Sequence, residues 1–159
     1  MIRRLLVATF FLIGLTQHLP AEQDMLASGA WLEARLGSAN LVILHVGTRA
    51  DYEEGHIPGA SLLRLEDITV TGPGGLRMEL PRVDALRDAF GALGVTDEAT
   101  VVVYHVGRAV QTATRAWFTL DYLGLNGRIA LLDGGLTLWK KEGRPLSTQA
   151  APPATSSFS

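Results

Sequence analysis

The sequence predicts an α/β domain built on a central parallel sheet with helices on both faces. Three short apolar runs, Leu41–Leu44, Val101–Tyr104 and Ile129–Leu132, show no alternation of polar and apolar residues, as is typical of strands covered on both faces. Segments with the periodicity of amphipathic helices lie between these runs. Strands that alternate with helices favour a parallel sheet connected by right-handed crossovers.

Four helices are predicted from apolar residues repeated at spacings of three and four. They span Asp24–Leu36, Val83–Leu93, Gln111–Leu123 and Leu136–Glu142. Gly124 ends the third helix, because glycine readily adopts the left-handed conformation that follows a helix C-terminus. Gly143 and Pro145 close the last helix, in which Trp139 is expected to cover the core.

A loop rich in glycine and proline follows the first apolar run. Gly55, Pro58 and Gly59 are expected to form a rigid turn, after which the chain re-enters the sheet from Ala60 to Leu63. His56 lies within this loop. We expect its ring to brace the backbone through hydrogen bonds rather than to act as an acid or base.

Residues 1–21 are predicted to be a signal peptide rather than part of the domain. Arg3 and Arg4 precede an uncharged run of 11 residues from Leu5 to Leu15, whereas a transmembrane helix needs roughly 20. Cleavage is expected after Ala21. The chain should then be exported to the periplasm, without stable membrane insertion after cleavage. The alternative is an uncleaved membrane anchor or a buried first helix.

The C-terminal residues differ in composition from the rest of the chain. Residues 147–159 contain two prolines and many Ala, Ser and Thr, with no helical or strand period and Phe158 as the one large apolar residue. This composition predicts a disordered linker or tail. Residues 22–146 remain as a single domain, long enough to fold independently.

Composition excludes several kinds of function. The 159 residues include no cysteine, so thiolate catalysis, disulfides and cysteine-based zinc sites are ruled out. The formal charge of -2 and the scattered basic residues argue against a nucleic-acid partner. Signature metal spacings and dinucleotide or P-loop motifs are also absent from the sequence, so no metal and no cofactor is expected.

Two motifs near opposite ends of the domain resemble those of rhodanese-homology domains. Asp51–Ala60 is similar to the EY..GHIPGA motif of that family. Leu132–Gly135, followed by Trp139 and Gly143–Pro145, is similar to its LDGG...W...G.P motif. The resemblance extends over about residues 24–146 and implies a rhodanese-like three-layer fold.

Further residues resemble the N-terminal, non-catalytic half of two-domain thiosulfate and mercaptopyruvate sulfurtransferases. They are Pro81 with the segment after it, and Thr114–Phe118. In active family members a cysteine directly follows the central strand, and its thiolate takes a sulfur atom from a donor and passes it to an acceptor. The matching residue here is His105. Because an imidazole does not hold a stable persulfide, the resemblance implies that this chain alone is inactive as a sulfurtransferase.

The loop that begins at His105 keeps some features of an anion site. Gly107 supplies conformational freedom, Arg108 supplies a cation, and a predicted helix starts directly behind them. His45 and Arg49 follow the neighbouring strand at the same edge of a parallel sheet, where ligands bind in open α/β folds. These five residues are the candidates for a weak anion site. The alternatives are a vestigial loop with a solvated arginine, or histidines that form a metal site or an acid–base pair.

Two functional hypotheses follow from the resemblance. In the first, the chain is a non-catalytic structural or regulatory half that packs on a catalytic rhodanese domain, in cis or in trans. In the second, it is an independent enzyme or anion-binding module that uses His105 and residues 105–111 on a sulfur or phosphate oxyanion. A cysteine-bearing domain encoded beyond Ser159 in the same reading frame would favour the first hypothesis.

Overall fold

The computed structural model describes residues 25–152 and 156–159. In these residues the strands are β1 (Leu26–Ala27), β2 (Leu41–Val46), β3 (Ala60–Leu63), β4 (Thr100–His105) and β5 (Ile129–Leu132). The helices are α1 (Gly29–Glu33), α2 (Arg49–Glu54), α3 (Val83–Gly91), α4 (Val110–Tyr122) and α5 (Gly135–Lys141), with a 3₁₀ helix at Leu65–Ile68. Strands therefore alternate with helices along the chain.

The strands form one parallel sheet in the order β1-β5-β4-β2-β3. The three apolar runs predicted to be strands are its three inner strands. Inner strands of a parallel sheet are covered on both faces, so an uninterrupted apolar sequence suits them. The predicted α/β fold with a central parallel sheet is confirmed.

Successive residues of the inner strands enter two different cores, one on each face of the sheet. Val103 of β4 packs in a core that includes residues of α3 and α4. Its neighbours Val102 and Tyr104 pack in a second core with residues of α1 and α5. This alternation follows from the period of two along a strand. It produces the expected three layers, with helices on both faces.

The predicted first helix is wrong at its N-terminal end. Leu26 and Ala27, expected to be helical, instead form β1 and pair with Leu131 and Leu132 of β5. Helix α1 begins only after Ser28, whose side-chain oxygen caps it. Helical periodicity alone did not distinguish a short edge strand that leads into a capped helix from one continuous helix.

Helix α2 was not predicted, although β3 begins where the sequence analysis expected it. A capping box starts the helix. The Asp51 amide donates to Thr48 Oγ1 at 3.1 Å, and the Thr48 amide donates to Asp51 Oδ2 at 3.2 Å. Hydrogen bonds from Thr48 also hold the pKa of Asp51 below its usual value. The Thr-x-x-Asp spacing is the sequence signal that would have located this helix.

The described residues of the C-terminal segment pack against the domain. Ser147 forms a β-bridge with His56. Phe158 is 8% exposed and belongs to the core beside α3 and α4. The Ser156 hydroxyl donates to the Gly91 carbonyl at 2.8 Å. These contacts differ from the disordered linker expected for residues 147–159, because backbone pairing and a single buried ring leave no local periodicity in the sequence. Residues 153–155 lie outside the described residues.

The predicted signal peptide, residues 1–21, also lies outside the described residues. Within the described part of the chain, no helix has both the length and the apolar character needed to cross a membrane. Export and cleavage after Ala21 therefore stay predictions.

Candidate functional site

A cleft of about 440 Å³ opens at the carboxyl ends of β2 and β4, the edge where the sequence analysis placed the candidate site. Its lining includes Gly47 and Thr48, which follow β2, and Val106 and Gly107, which follow β4. Loops after adjacent parallel strands meet at the same edge of the sheet, which explains why these residues converge.

His105, the last residue of β4, turns its ring back toward its own loop. Its Nδ1 lies 3.0 Å from the carbonyl oxygen of Gly107 and therefore donates a hydrogen bond to it. A Cβ added at Gly135 would lie 2.8 Å from Nε2 of His105, so the ring packs tightly against this glycine of the LDGG motif. His105 thus occupies the strand end at which the family resemblance places a cysteine.

Gly107 and Arg108 are exposed at the start of α4. Gly107 has a φ of 54°, in the left-handed region that favours glycine. Helix α4 has no side-chain cap, so none of its first amides donates a hydrogen bond to an N-cap side chain. Among the residues that the structure describes, Arg108 forms no ion pair. Anion binding at these two residues stays a prediction.

His45 does not face this loop, contrary to the sequence-based expectation. Its side chain is fully buried, and its Nδ1 lies 2.9 Å from the Tyr104 hydroxyl. Burial, and then repulsion from His56, lower the pKa of His45 to about 4. Being one residue before the strand end, His45 points into the layer between sheet and helices rather than out of the edge. An enclosed neutral ring is not available to an anion.

Arg49 also lies away from the candidate loop. As the first residue of α2, it has a side chain that is 71% exposed and 3.7 Å from Glu53. It lines a different cleft of about 380 Å³, which also includes Arg64 and residues of β3. The structure therefore brings His105, Gly107 and Arg108 together but separates His45 and Arg49 from them. Helix α2 is the physical reason in the case of Arg49.

Two carboxylates, Asp51 and Glu66, line the cleft between β2 and β4. Because its pKa is lowered by Thr48, Asp51 is ionised at neutral pH. Glu66 has a partner, Arg64, at 3.3 Å. Negative charge at the lining opposes the binding of an oxyanion inside the cleft. No group of three or more His, Asp or Glu side chains in the described residues is placed to hold a metal ion.

A buried hydrogen-bonded group that sequence reasoning missed lies beside His45. The Tyr104 hydroxyl accepts a hydrogen bond from the Ile57 amide at 3.2 Å, and burial raises the pKa of Tyr104. The Tyr52 hydroxyl donates to the Ala60 carbonyl at 2.7 Å. These tyrosines tie β4 to the loop before β3, through Ile57, and α2 to the first residue of β3, Ala60. A tyrosine within an apolar strand was the available signal, because its buried hydroxyl needs a partner.

Anion binding at the α4 start gives a first prediction. Sulfate or thiosulfate should shift the amide resonances of Gly107 and Arg108 with a dissociation constant weaker than about 1 mM, because one arginine and a few amides compete with full hydration. Replacing Arg108 with Ala should abolish these shifts and change stability by less than about 0.5 kcal/mol. The matched Lys141→Ala variant should keep them. Shifts that persist in Arg108→Ala would contradict the site.

Residues 28–142 match the family model of the rhodanese-like domain. A thiosulfate sulfurtransferase from Azotobacter vinelandii is 35% identical over 134 residues, which are 84% of this chain and 48% of that protein. A probable 3-mercaptopyruvate sulfurtransferase from Pseudomonas aeruginosa is 36% identical over 128 residues, which are 73% of this chain and 44% of that protein. The chain spans about half the length of these curated relatives.

Solved structures share the fold of this chain. The 3-mercaptopyruvate sulfotransferase SseA from Escherichia coli has a TM-score of 0.71 at 24% identity, over 84% of this chain and 55% of that one. The anaerobic ergothioneine biosynthesis enzyme from Chlorobium limicola has a TM-score of 0.73 at 23% identity, over 84% and 36% of the two chains. The sheet order, the two motifs and the family model agree, and the chain belongs to the rhodanese family as a rhodanese-like domain.

Proposed function

We propose that this chain is a non-catalytic rhodanese domain that acts together with a catalytic rhodanese domain, in cis or in trans. The proposal rests on the residue at the end of β4. His105 stands where active family members are expected to have their sulfur-accepting cysteine, and the sequence contains no cysteine elsewhere. Without a thiolate, the step that forms a persulfide has no nucleophile.

The length of the relatives supports a second rhodanese domain as the partner. The Azotobacter and Pseudomonas proteins are about twice as long as the part that this chain matches. Residues such as Thr114–Phe118 resemble the N-terminal half of two-domain sulfurtransferases. In this proposal the chain supplies the half that packs on the catalytic half.

One face of α4 offers an apolar surface for such a partner. Val110, Phe118 and Tyr122 are 49%, 55% and 58% exposed. They are spaced by eight and four residues, so they lie along one side of the helix. Large apolar side chains aligned in this way are typical of surfaces between domains rather than of an isolated monomer.

The alternative is an independent enzyme or anion-binding module that uses His105 on a sulfur or phosphate oxyanion. It has less support. Asp51 and Glu66 place negative charge in the neighbouring cleft, and the His105 ring is already bonded to the Gly107 carbonyl. His45 and Arg49, the two anion-site candidates outside residues 105–111, lie elsewhere.

We also propose that the chain is exported, on the basis of residues 1–21. Expression of the full chain in a bacterial host, followed by N-terminal sequencing of the periplasmic fraction, tests this. Cleavage after Ala21 should give a first residue of Glu22. Full-length chain that stays in the cytoplasm or in the membrane would contradict export.

Mixing the chain with a cysteine-bearing rhodanese domain tests the proposed partnership. Sedimentation velocity should detect a complex with a dissociation constant of roughly 100 μM or tighter, as expected for a modest interdomain surface. Phe118→Asp should weaken the complex at least about tenfold by placing a charge in an apolar contact. Thr137→Asp, at an exposed site on α5, should not. Absence of a complex with wild type, and an unchanged monomer, would overturn the proposal.

A further inference from the structure

The chain that follows α5 packs against the domain, with a β-bridge at Ser147 and a bend at Gln149. Residues 147–151 of this segment are here called the strap. The backbone amide of His56 donates to the Ser147 carbonyl at 2.9 Å, and the Ser147 amide donates to the His56 carbonyl at 2.8 Å. Two residues later, the Gln149 carbonyl lies 2.9 Å from Nε2 of the His56 ring. One histidine therefore holds the strap through both its backbone and its side chain.

Tyr52 holds the next alternate residue of the strap. Its hydroxyl accepts a hydrogen bond from the Ala151 amide at 3.2 Å while donating to the Ala60 carbonyl. The Tyr52 ring also stacks on the His56 ring, with 3.7 Å between centroids and 3° between planes. The strap is thus held at residue 147 by the His56 backbone, and at residues 149 and 151 by the stacked side chains of His56 and Tyr52.

The surroundings of the His56 ring require two protons. Nδ1 lies 2.7 Å from the Tyr52 carbonyl, and Nε2 lies 2.9 Å from the Gln149 carbonyl. A carbonyl oxygen only accepts, and a neutral imidazole has only one N–H group. Both contacts are hydrogen bonds only when the ring is doubly protonated. Since His56 is fully buried, a neutral ring would leave one carbonyl facing a bare ring nitrogen that is itself out of contact with solvent.

We propose that His56 is a proton-operated clasp, which holds the strap against the domain when the ring is doubly protonated and releases the Gln149 end when it is neutral. Loss of the proton removes a charge-assisted hydrogen bond and leaves two acceptor atoms in contact. The backbone pairing at Ser147 and the buried Phe158 do not depend on this proton, so release is local to the middle of the strap.

Two groups near His56, namely His45 and Asp51, keep a constant charge over the pH range in which the clasp is proposed to act. The titratable and charged groups around the His45–His56 pair are His45 from β2, Asp51 and Tyr52 from α2, Tyr104 from β4 and Lys140 from α5. Burial lowers the pKa of His45 to about 4, so His45 stays neutral above pH 5. Asp51 stays ionised there because its pKa is lowered. The pH range between about 5 and 8 is the ordinary range of imidazole switches.

The clasp goes beyond the proposed partnership and does not depend on it. It concerns the path by which the chain leaves the domain toward its C-terminal side. In a protein with a following domain, protonation of His56 would set the direction in which the chain leaves this domain toward the next one. The clasp exists in this chain whether or not such a domain follows.

Nuclear magnetic resonance on the full ¹⁵N-labelled chain between pH 5 and 8 tests the clasp. At the acid end both ring nitrogens of His56 should carry protons. As the ring becomes neutral, the hydrogen-exchange protection of the Ala151 amide, corrected for the intrinsic effect of pH, should fall by about tenfold, the effect of losing one charge-assisted hydrogen bond. The protection of amides in β4 should not change.

Two variants complete this experiment, one that loosens the strap and one that serves as a control. Ser147→Pro removes the amide that pairs with His56 and loosens the strap while leaving Phe158 in place. By reciprocal linkage, the proton affinity of His56 should fall at least about threefold in this variant. His105→Asn, which changes a histidine at another edge of the domain, should leave the strap response intact. The proposal would be overturned if His56 were singly protonated at pH 5 while the strap is closed. It would also be overturned if the hydrogen-exchange protection of the Ala151 amide did not change when the ring loses its proton.

Discussion

Replacing Trp139 with Ala is expected to lower the free energy of unfolding by about 3–5 kcal/mol, because it empties a large site in the core between the sheet, α1 and α5. Trp139 is 1% exposed. Its indole nitrogen donates to the Pro145 carbonyl at 2.7 Å, and this bond is lost as well. Urea unfolding at pH 7 measures the change.

Trp31→Ala is the matched control for this large effect. Trp31 is only partly buried and lies under the Arg35 guanidinium, 4.3 Å from the ring centroid. Its removal should lower the free energy of unfolding by no more than about 1.5 kcal/mol, since an exposed cation–π contact contributes little. Equal losses in the two variants would show that α5 is not packed as described.

Acid should destabilise the domain through His45, by about 3 kcal/mol between pH 6.5 and pH 4. Burial, with repulsion from His56, lowers the pKa of His45 from 6.5 to about 4 in the folded chain. Over this interval the unfolded chain binds a proton that the folded chain excludes. His45 therefore does not lower the free energy of unfolding above about pH 6.5. Between pH 6.5 and pH 4 that free energy falls by about 1.4 kcal/mol for each pH unit.

Urea unfolding of wild type and His45→Asn at pH 7 and pH 4.5 isolates this contribution. The asparagine keeps a polar group near the Tyr104 hydroxyl but does not titrate. Its free energy of unfolding should depend less on pH, with the wild-type fall exceeding that of the variant by about 2–3 kcal/mol. Identical falls in both proteins would assign the acid sensitivity to other groups.

The inner strands could be predicted because a strand that is buried on both faces is apolar at successive positions. Leu41–Leu44 and Ile129–Leu132 are continuous apolar runs, and they became β2 and β5. Strand β1 is only two residues long and owes its place to a neighbour more than 100 residues away, so no local pattern distinguishes it from a helix. Helix α2 is amphipathic over too few residues to show a period, although its capping box was visible.

The candidate site was predictable where it depends on the ends of strands. His105 ends β4, Gly107 follows it, and the two lie together at the expected edge. His45 and Arg49 were placed there by the same reasoning, but the side chain of His45 turns inward to Tyr104 and an unpredicted helix displaces Arg49. The burial of Phe158 likewise depends on a slot made by distant residues.

This rhodanese-like domain has no sulfur nucleophile of its own, because its sequence contains no cysteine. His105→Cys provides the informative comparison, because it places a thiol at the end of β4 without changing the rest of the chain. We expect little activity even in this variant, since the loop around residue 105 lacks the active-site pattern and oriented amides usually contribute more than the nucleophile's identity alone.

The most direct test is the transfer of sulfur from thiosulfate to cyanide by the purified wild-type chain, with intact-mass analysis of the protein after incubation with thiosulfate alone. We expect thiocyanate to form no faster than in buffer and no sulfur atom to be added to the protein, because the sequence has no thiol to accept one. Turnover that survives repurification, or a sulfur adduct on the wild-type chain, would contradict this expectation.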